Sequence, residues 1–117
     1  MLTLTELKKR RDLINQVDWD MTPEEAVRLY LEWGNNWTRG NYVIRSKNDV
    51  AHYFVINTWK GKPKVYLVRR NSDMAEDLAA FDLPKPLETE FMRSVGHNKG
   101  VYSIEGPTRQ WLERELN

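Results

Sequence analysis

Apolar positions change their spacing along the chain, and each change marks a boundary. From Thr3 to Asp18 they recur at helical intervals, with Leu7, Ile14 and Val17 along one stripe and Leu4 and Leu13 beside it. Thr3 followed three residues later by Glu6 is the pattern of a capping box, so a helix is predicted over residues 3–18. A stronger start signal follows. Thr22 stands at an N-cap, Pro23 at the first helical position and Glu25 completes the box. Ala26, Leu29, Tyr30 and Trp33 line one side, widened by Val27 and Leu31, and Gly34 supplies a left-handed stop. With Asp18-Trp19-Asp20-Met21 as the connection, these two segments are predicted to form a helical hairpin.

From Asn41 to Arg70 the period falls to two. Asn41–Arg45, Val50–Trp59 and Lys64–Arg70 read as strands rich in Val, Ile, Tyr and Phe. The turns between them, Ser46-Lys47-Asn48-Asp49 and Lys60-Gly61-Lys62-Pro63, are short enough to force an antiparallel meander. A turn centred on Gly61-Lys62 sets Thr58 opposite Val65 and Ile56 opposite Leu67. One centred on Lys47-Asn48 sets Val43 opposite His52 and Tyr42 opposite Tyr53. One face then carries Val43, Phe54, Ile56, Val65 and Leu67, and the other carries Tyr42, Ile44, Tyr53, Val55, Tyr66 and Val68. Neither is polar, whereas a sheet with one wet side alternates cleanly. Both faces are therefore expected to find cover, from helices or from a second copy of the chain.

Asn71-Ser72-Asp73 is read as the cap of a short helix through Met74, Leu78, Ala79 and Phe81, stopped by Pro84 and Pro86. Leu87–Val95 is a predicted helix ending at Gly96, Val101–Glu105 a strand, and Gly106-Pro107 opens a final helix with Trp111, Leu112 and Leu116. The expected fold is one α+β domain over residues 1–117, in the order ααβββααβα. It has an N-terminal helical hairpin, an antiparallel meander of three or four strands and C-terminal helices.

Composition narrows the function classes. At 117 residues the chain suits one domain, and its 40% hydrophobic and 30% charged content is ordinary for a globular protein. It has no cysteine, which excludes disulfides, thiolate metal sites and Cys nucleophiles and points to a reducing compartment. The first residues carry charge where a signal peptide needs an apolar stretch, and no apolar run reaches membrane-spanning length. A cytoplasmic location is expected, with no membrane partner. Eighteen basic against seventeen acidic residues leave a net charge of +1, without the basic excess of a dedicated nucleic-acid binder.

Chemistry-bearing patterns are sparse. No glycine-rich phosphate loop, no histidine pair at metal spacing and no G-x-S-x-G elbow occurs, so no cofactor, metal or catalytic set is assigned. The run Lys8-Lys9-Arg10-Arg11 fans out by about 100° per residue on a helix and reads as a solvated surface. Carboxylates such as Asp73, Glu76 and Asp77, or Glu88 and Glu90, stand near helix starts, where they suit the macrodipole. Trp33, Asn35, Asn36, Trp37, Arg39 and Tyr42 form the candidate binding surface, because indoles, arginine and amides concentrate there between flexible glycines. Lys60, Lys62 and Lys64 form a candidate basic patch at a hairpin tip, although lysines there also guard against edge pairing.

The leading functional expectation is a non-enzymatic binding or regulatory module that works through protein contact, with an unidentified protein or a second copy of itself as partner. One alternative is a nucleic-acid or nucleotide binder using Trp37, Arg39 and the Lys60–Lys64 hairpin. The other is a small hydrolase-like enzyme using His97 or His52 with a nearby carboxylate.

Overall fold

The computed structural model describes residues 1–20, 22, 51–70 and 75–117. Helices and a four-stranded antiparallel sheet make up an α+β fold. The elements are α1 (Leu4–Lys8), α2 (Arg11–Ile14), β1 (Ala51–Asn57), β2 (Lys64–Arg70), β3 (Ala75–Asp82), α3 (Lys85–Val95), β4 (Val101–Ser103) and α4 (Gly106–Leu116). In space the strands run β3-β2-β1-β4.

The capping box forms: the Thr3 hydroxyl accepts from the Glu6 backbone N–H at 3.2 Å, and the Glu6 carboxylate accepts from the Thr3 N–H at 3.0 Å. The helix it starts does not run to residue 18. It stops at Lys8, and Arg10 adopts ψ 71°, outside the helical region. Geometry explains the break. In a continuous helix Leu13 would stand about 120° round from Leu7, yet Leu7, Leu13 and Ile14 are all buried in the same core. The predicted second helix after Thr22 and the strand Asn41–Arg45 lie outside the described residues.

The ends of this N-terminal segment serve as strand partners. Leu2 forms a parallel bridge with Ala79 on the edge of β3, and Val17 forms one with His52 on β1. The Leu2 N–H donates to the Leu78 carbonyl at 2.9 Å, and the Asp18 N–H donates to the His52 carbonyl at 2.8 Å. Residues 2–18 thus cross one face of the sheet as a strap held at β3 and at β1.

Strand β2 occupies the residues expected. Strand β1 stops two residues early, so Ile56 pairs with Val65 and Phe54 with Leu67. This is a shift of two from the register expected for a Gly61-Lys62 turn. An even shift leaves every side chain on its own face, which is why the expected face assignments survive it.

The helix expected through Met74 to Phe81 is corrected to a strand. Residues 75–82 pair antiparallel with β2, with an irregularity between Leu67 and Val68 that leaves Leu78 as the extra residue. Leu78, Ala79 and Phe81 all join the core through this arrangement. A run of Ala, Glu, Asp and Leu favours helix locally. A buried partner strand supplies backbone hydrogen bonds and apolar contacts that outweigh differences of roughly 0.5 kcal/mol per residue.

The first face carries the main core. Phe54, Ile56, Val65, Leu67, Ala79 and Phe81 pack against Leu7, Leu13, Ile14, Leu83, Leu112 and Leu116. A row of rings runs through it: Trp19 lies 5.3 Å from Phe54, Phe54 6.4 Å from Phe81, and Phe81 6.3 Å from Trp111. Full burial of each large side chain contributes about 1.5–3 kcal/mol. On the opposite face Ala51, Tyr53, Val55, Tyr66, Val68 and Val101 form a second buried cluster, and Val55 and Val68 have 0% exposure. Apolar residues of both faces are buried.

Candidate functional site

The two imidazoles occupy different surroundings. His52 is buried at one end of β1, opposite Arg69 in register, and Arg69 in turn pairs with Glu76 on β3. Burial and, secondarily, the Arg69 charge hold the imidazole below its ordinary pKa, so it is neutral at pH 7. His97 is exposed in the loop after α3. Neither makes a hydrogen bond or ion pair to a carboxylate among the described residues, and no group of three potential metal ligands occurs there. The parts of a hydrolytic site are not assembled in this region.

Trp33, Asn35, Asn36, Trp37, Arg39 and Tyr42 lie outside the described residues. The other predicted site is described in full, and the structure adds to it. At the β1–β2 hairpin Asn57 accepts the Trp59 N–H on its Oδ1 at 2.8 Å, a local turn bond that pulls the chain out of the strand. Gly61 takes φ 101°, the left-handed region where a side chain would be strained. Pro63 is buried. The strand therefore ends at Asn57, and Trp59 sits in the turn with 56% of its surface exposed.

Thr58 anchors this turn to a distant loop. Its hydroxyl accepts the Gly100 N–H at 2.9 Å and lies 3.3 Å from both the Asn98 and Gly100 carbonyls. Its own N–H donates to the Gly100 carbonyl at 3.0 Å. The loop Gly96-His97-Asn98-Lys99-Gly100 is thereby fixed beside the hairpin. Tyr102 adds a bond from its hydroxyl to the Asn98 carbonyl at 3.1 Å and stacks edgewise on Phe91 of α3.

The charges that meet here come from two stretches without carboxylates, residues 50–72 and 91–104. Lys62 makes an ion pair of 3.3 Å with Asp82 across the sheet. Lys60, Lys64 and Lys99 are exposed and make no ion pair among the described residues. Asp77 on β3 also has a bearing on this end. Its Oδ1 is buried without a hydrogen bond, and burial pushes its carboxyl up while Lys60 partly offsets the shift. Because the whole chain is nearly neutral, a basic end implies an acidic excess elsewhere.

Sequence reasoning named Lys60, Lys62 and Lys64 but missed Trp59 and Lys99. Trp59 falls in phase with Tyr53 and Val55, so period alone assigns it to the strand. The signal against that reading was the Asn57-Thr58 pair, two residues whose side chains bond to nearby backbone and end strands. Lys99 joins only through the tertiary Thr58 contact. Comparison with family models, curated proteins and solved structures finds no match to this chain.

Proposed function

We propose that the protein is a non-enzymatic binding module that engages a polyanion through the end of its β1–β2 hairpin. The observation that carries this reading is the exposed indole of Trp59 on the hairpin that also bears Lys60 and Lys64, on a turn that Thr58 ties to Gly100, the residue after Lys99. A fixed scaffold lowers the ordering cost of binding, which favours such a surface as a contact site. Self-association is not part of this reading, because Val55 and Val68 on the second face have 0% exposure in the single chain. A cytoplasmic location belongs to the proposal and rests on the absence of cysteine. Among the described residues no helix is long and apolar enough to cross a membrane.

Retention on immobilised heparin tests the reading. At about 50 mM salt the wild-type protein is expected to bind and to elute as salt rises, since each phosphate-like contact releases counterions. The triple variant Lys60→Ala/Lys64→Ala/Lys99→Ala is expected to flow through. If the wild type also flows through, the proposal is wrong.

A further inference from the structure

We infer that the polyanion is single-stranded nucleic acid, with a base stacked on Trp59 and phosphates against Lys60, Lys64 and Lys99; this rests on the binding surface proposed above. The indole is the decisive element. Among the described residues the exposed large apolar side chains are Met1 and Trp59, and Trp59 is the one on the turn that carries Lys60 and Lys64 and is tied through Thr58 to the loop of Lys99. A lysine cluster by itself suits any polyanion. An indole gains a stacking contact from a partner with a free flat face, and duplex bases already stack on one another. An unpaired base supplies that face and brings its own phosphate to within reach of the flanking ammonium groups.

The backbone beneath the ring is fixed from three directions. Asn57 holds the Trp59 N–H at 2.8 Å, Thr58 ties the turn to Gly100, and the Gly61 N–H donates to the Thr58 carbonyl at 3.1 Å. The platform is thus preorganised, as a stacking surface requires. Lys62 is engaged with Asp82, which leaves Lys60 and Lys64 on the hairpin and Lys99 on the adjoining loop as phosphate ligands. A membrane surface fits less well: a lipid-seeking tip presents several apolar side chains around its cations, and among the described residues of this hairpin Trp59 is the one exposed large apolar side chain.

Fluorescence anisotropy with a labelled oligothymidylate of about a dozen nucleotides reads the inference, at about 50 mM salt. Competitors are a DNA duplex of equal charge and phosphatidylserine vesicles. The oligothymidylate is expected to bind at least about tenfold more tightly than the duplex, and Trp59→Ala is expected to erase that margin. The lysine triple variant should lose binding to both and flatten the salt dependence. Equal affinity for strand and duplex, or an unchanged margin in Trp59→Ala, overturns base stacking while heparin retention leaves the polyanion surface standing. Binding to vesicles without binding to oligothymidylate overturns the inference in favour of lipid. Loss of heparin retention as well removes the surface itself. Trp59 and the three lysines are exposed, so the variants are expected to fold, which identical far-ultraviolet dichroism would verify.

Discussion

Two basic clusters occur in this chain, and they have opposite fates. Lys8-Lys9-Arg10-Arg11 is the denser in sequence, yet three of its four charges are engaged by the protein's own acids and carbonyls. Lys8 pairs with Glu115 at 2.7 Å, Arg10 grips Asp12 through two bonds of 3.0 and 2.9 Å, and Arg11 donates to the Leu116 carbonyl at the C-terminus of α4. That last contact places a cation where the helix dipole is negative. Asp12 is held down to about 2 by Arg10. The Lys60–Lys64 hairpin is sparser and has one ion pair, from Lys62 to Asp82. The difference lies in what the fold brings alongside. A charge run becomes a surface for others only where folding leaves it without internal partners, and linear density says nothing about that.

The largest expected effect tests whether the first cluster is structural. Leu7 lies on α1 beneath the run and is fully buried. Leu7→Ala should cost about 2–5 kcal/mol, read as a lower urea midpoint with unchanged slope. Heparin retention of the folded protein should stay the same, and a loss of retention would show that the two clusters act together.

Next in size is Thr58→Val, which keeps the shape of the side chain and removes the hydroxyl that accepts from Gly100. Leaving that part-buried donor without its partner should cost about 1–3 kcal/mol. Because the loop carrying Lys99 would then be loosened from the hairpin, heparin elution should shift to lower salt. Elution at the wild-type position would mean that Lys99 contributes nothing.

The smallest effect separates the clusters most sharply. Lys8→Met should lower stability by up to about 1 kcal/mol at low salt, with the loss vanishing at high salt, as for an exposed ion pair. Lys60→Met should leave stability within about 0.5 kcal/mol and weaken heparin binding. Paired thermal melts and elution profiles measure both, and a reversal of the two patterns breaks the comparison.

Much of the architecture is written in local pattern. Thr3 and Glu6 announce a cap that forms, Lys64–Arg70 announces a strand with the bounds observed, and the period of two assigns Phe54 and Ile56 to one face and Tyr53 and Val55 to the other. The failures share a cause. Residues 75–82 look helical by themselves, and only β2 as a neighbour makes them a strand. The break at Arg10 depends on a core that needs both Leu7 and Leu13 on one side. At the candidate site the lysines were legible as a turn, whereas the exposure of Trp59 and the company of Lys99 depend on side-chain bonds from Asn57 and Thr58. Local propensity cannot report a contact made across forty residues of chain.

The strap formed by residues 2–18 has a consequence for the order of assembly. Leu2 is synthesised long before Ala79, so its bridge cannot close until β1, β2 and half of β3 have been made, while Val17 waits only for His52 at the start of β1. Until then Leu7 and the Leu13–Ile14 pair have no floor to lie on, and β3 keeps an open margin where Leu2 will later sit. A segment made before the sheet is therefore the latch, and at Leu2 it shuts only after the ribbons it fastens are in place.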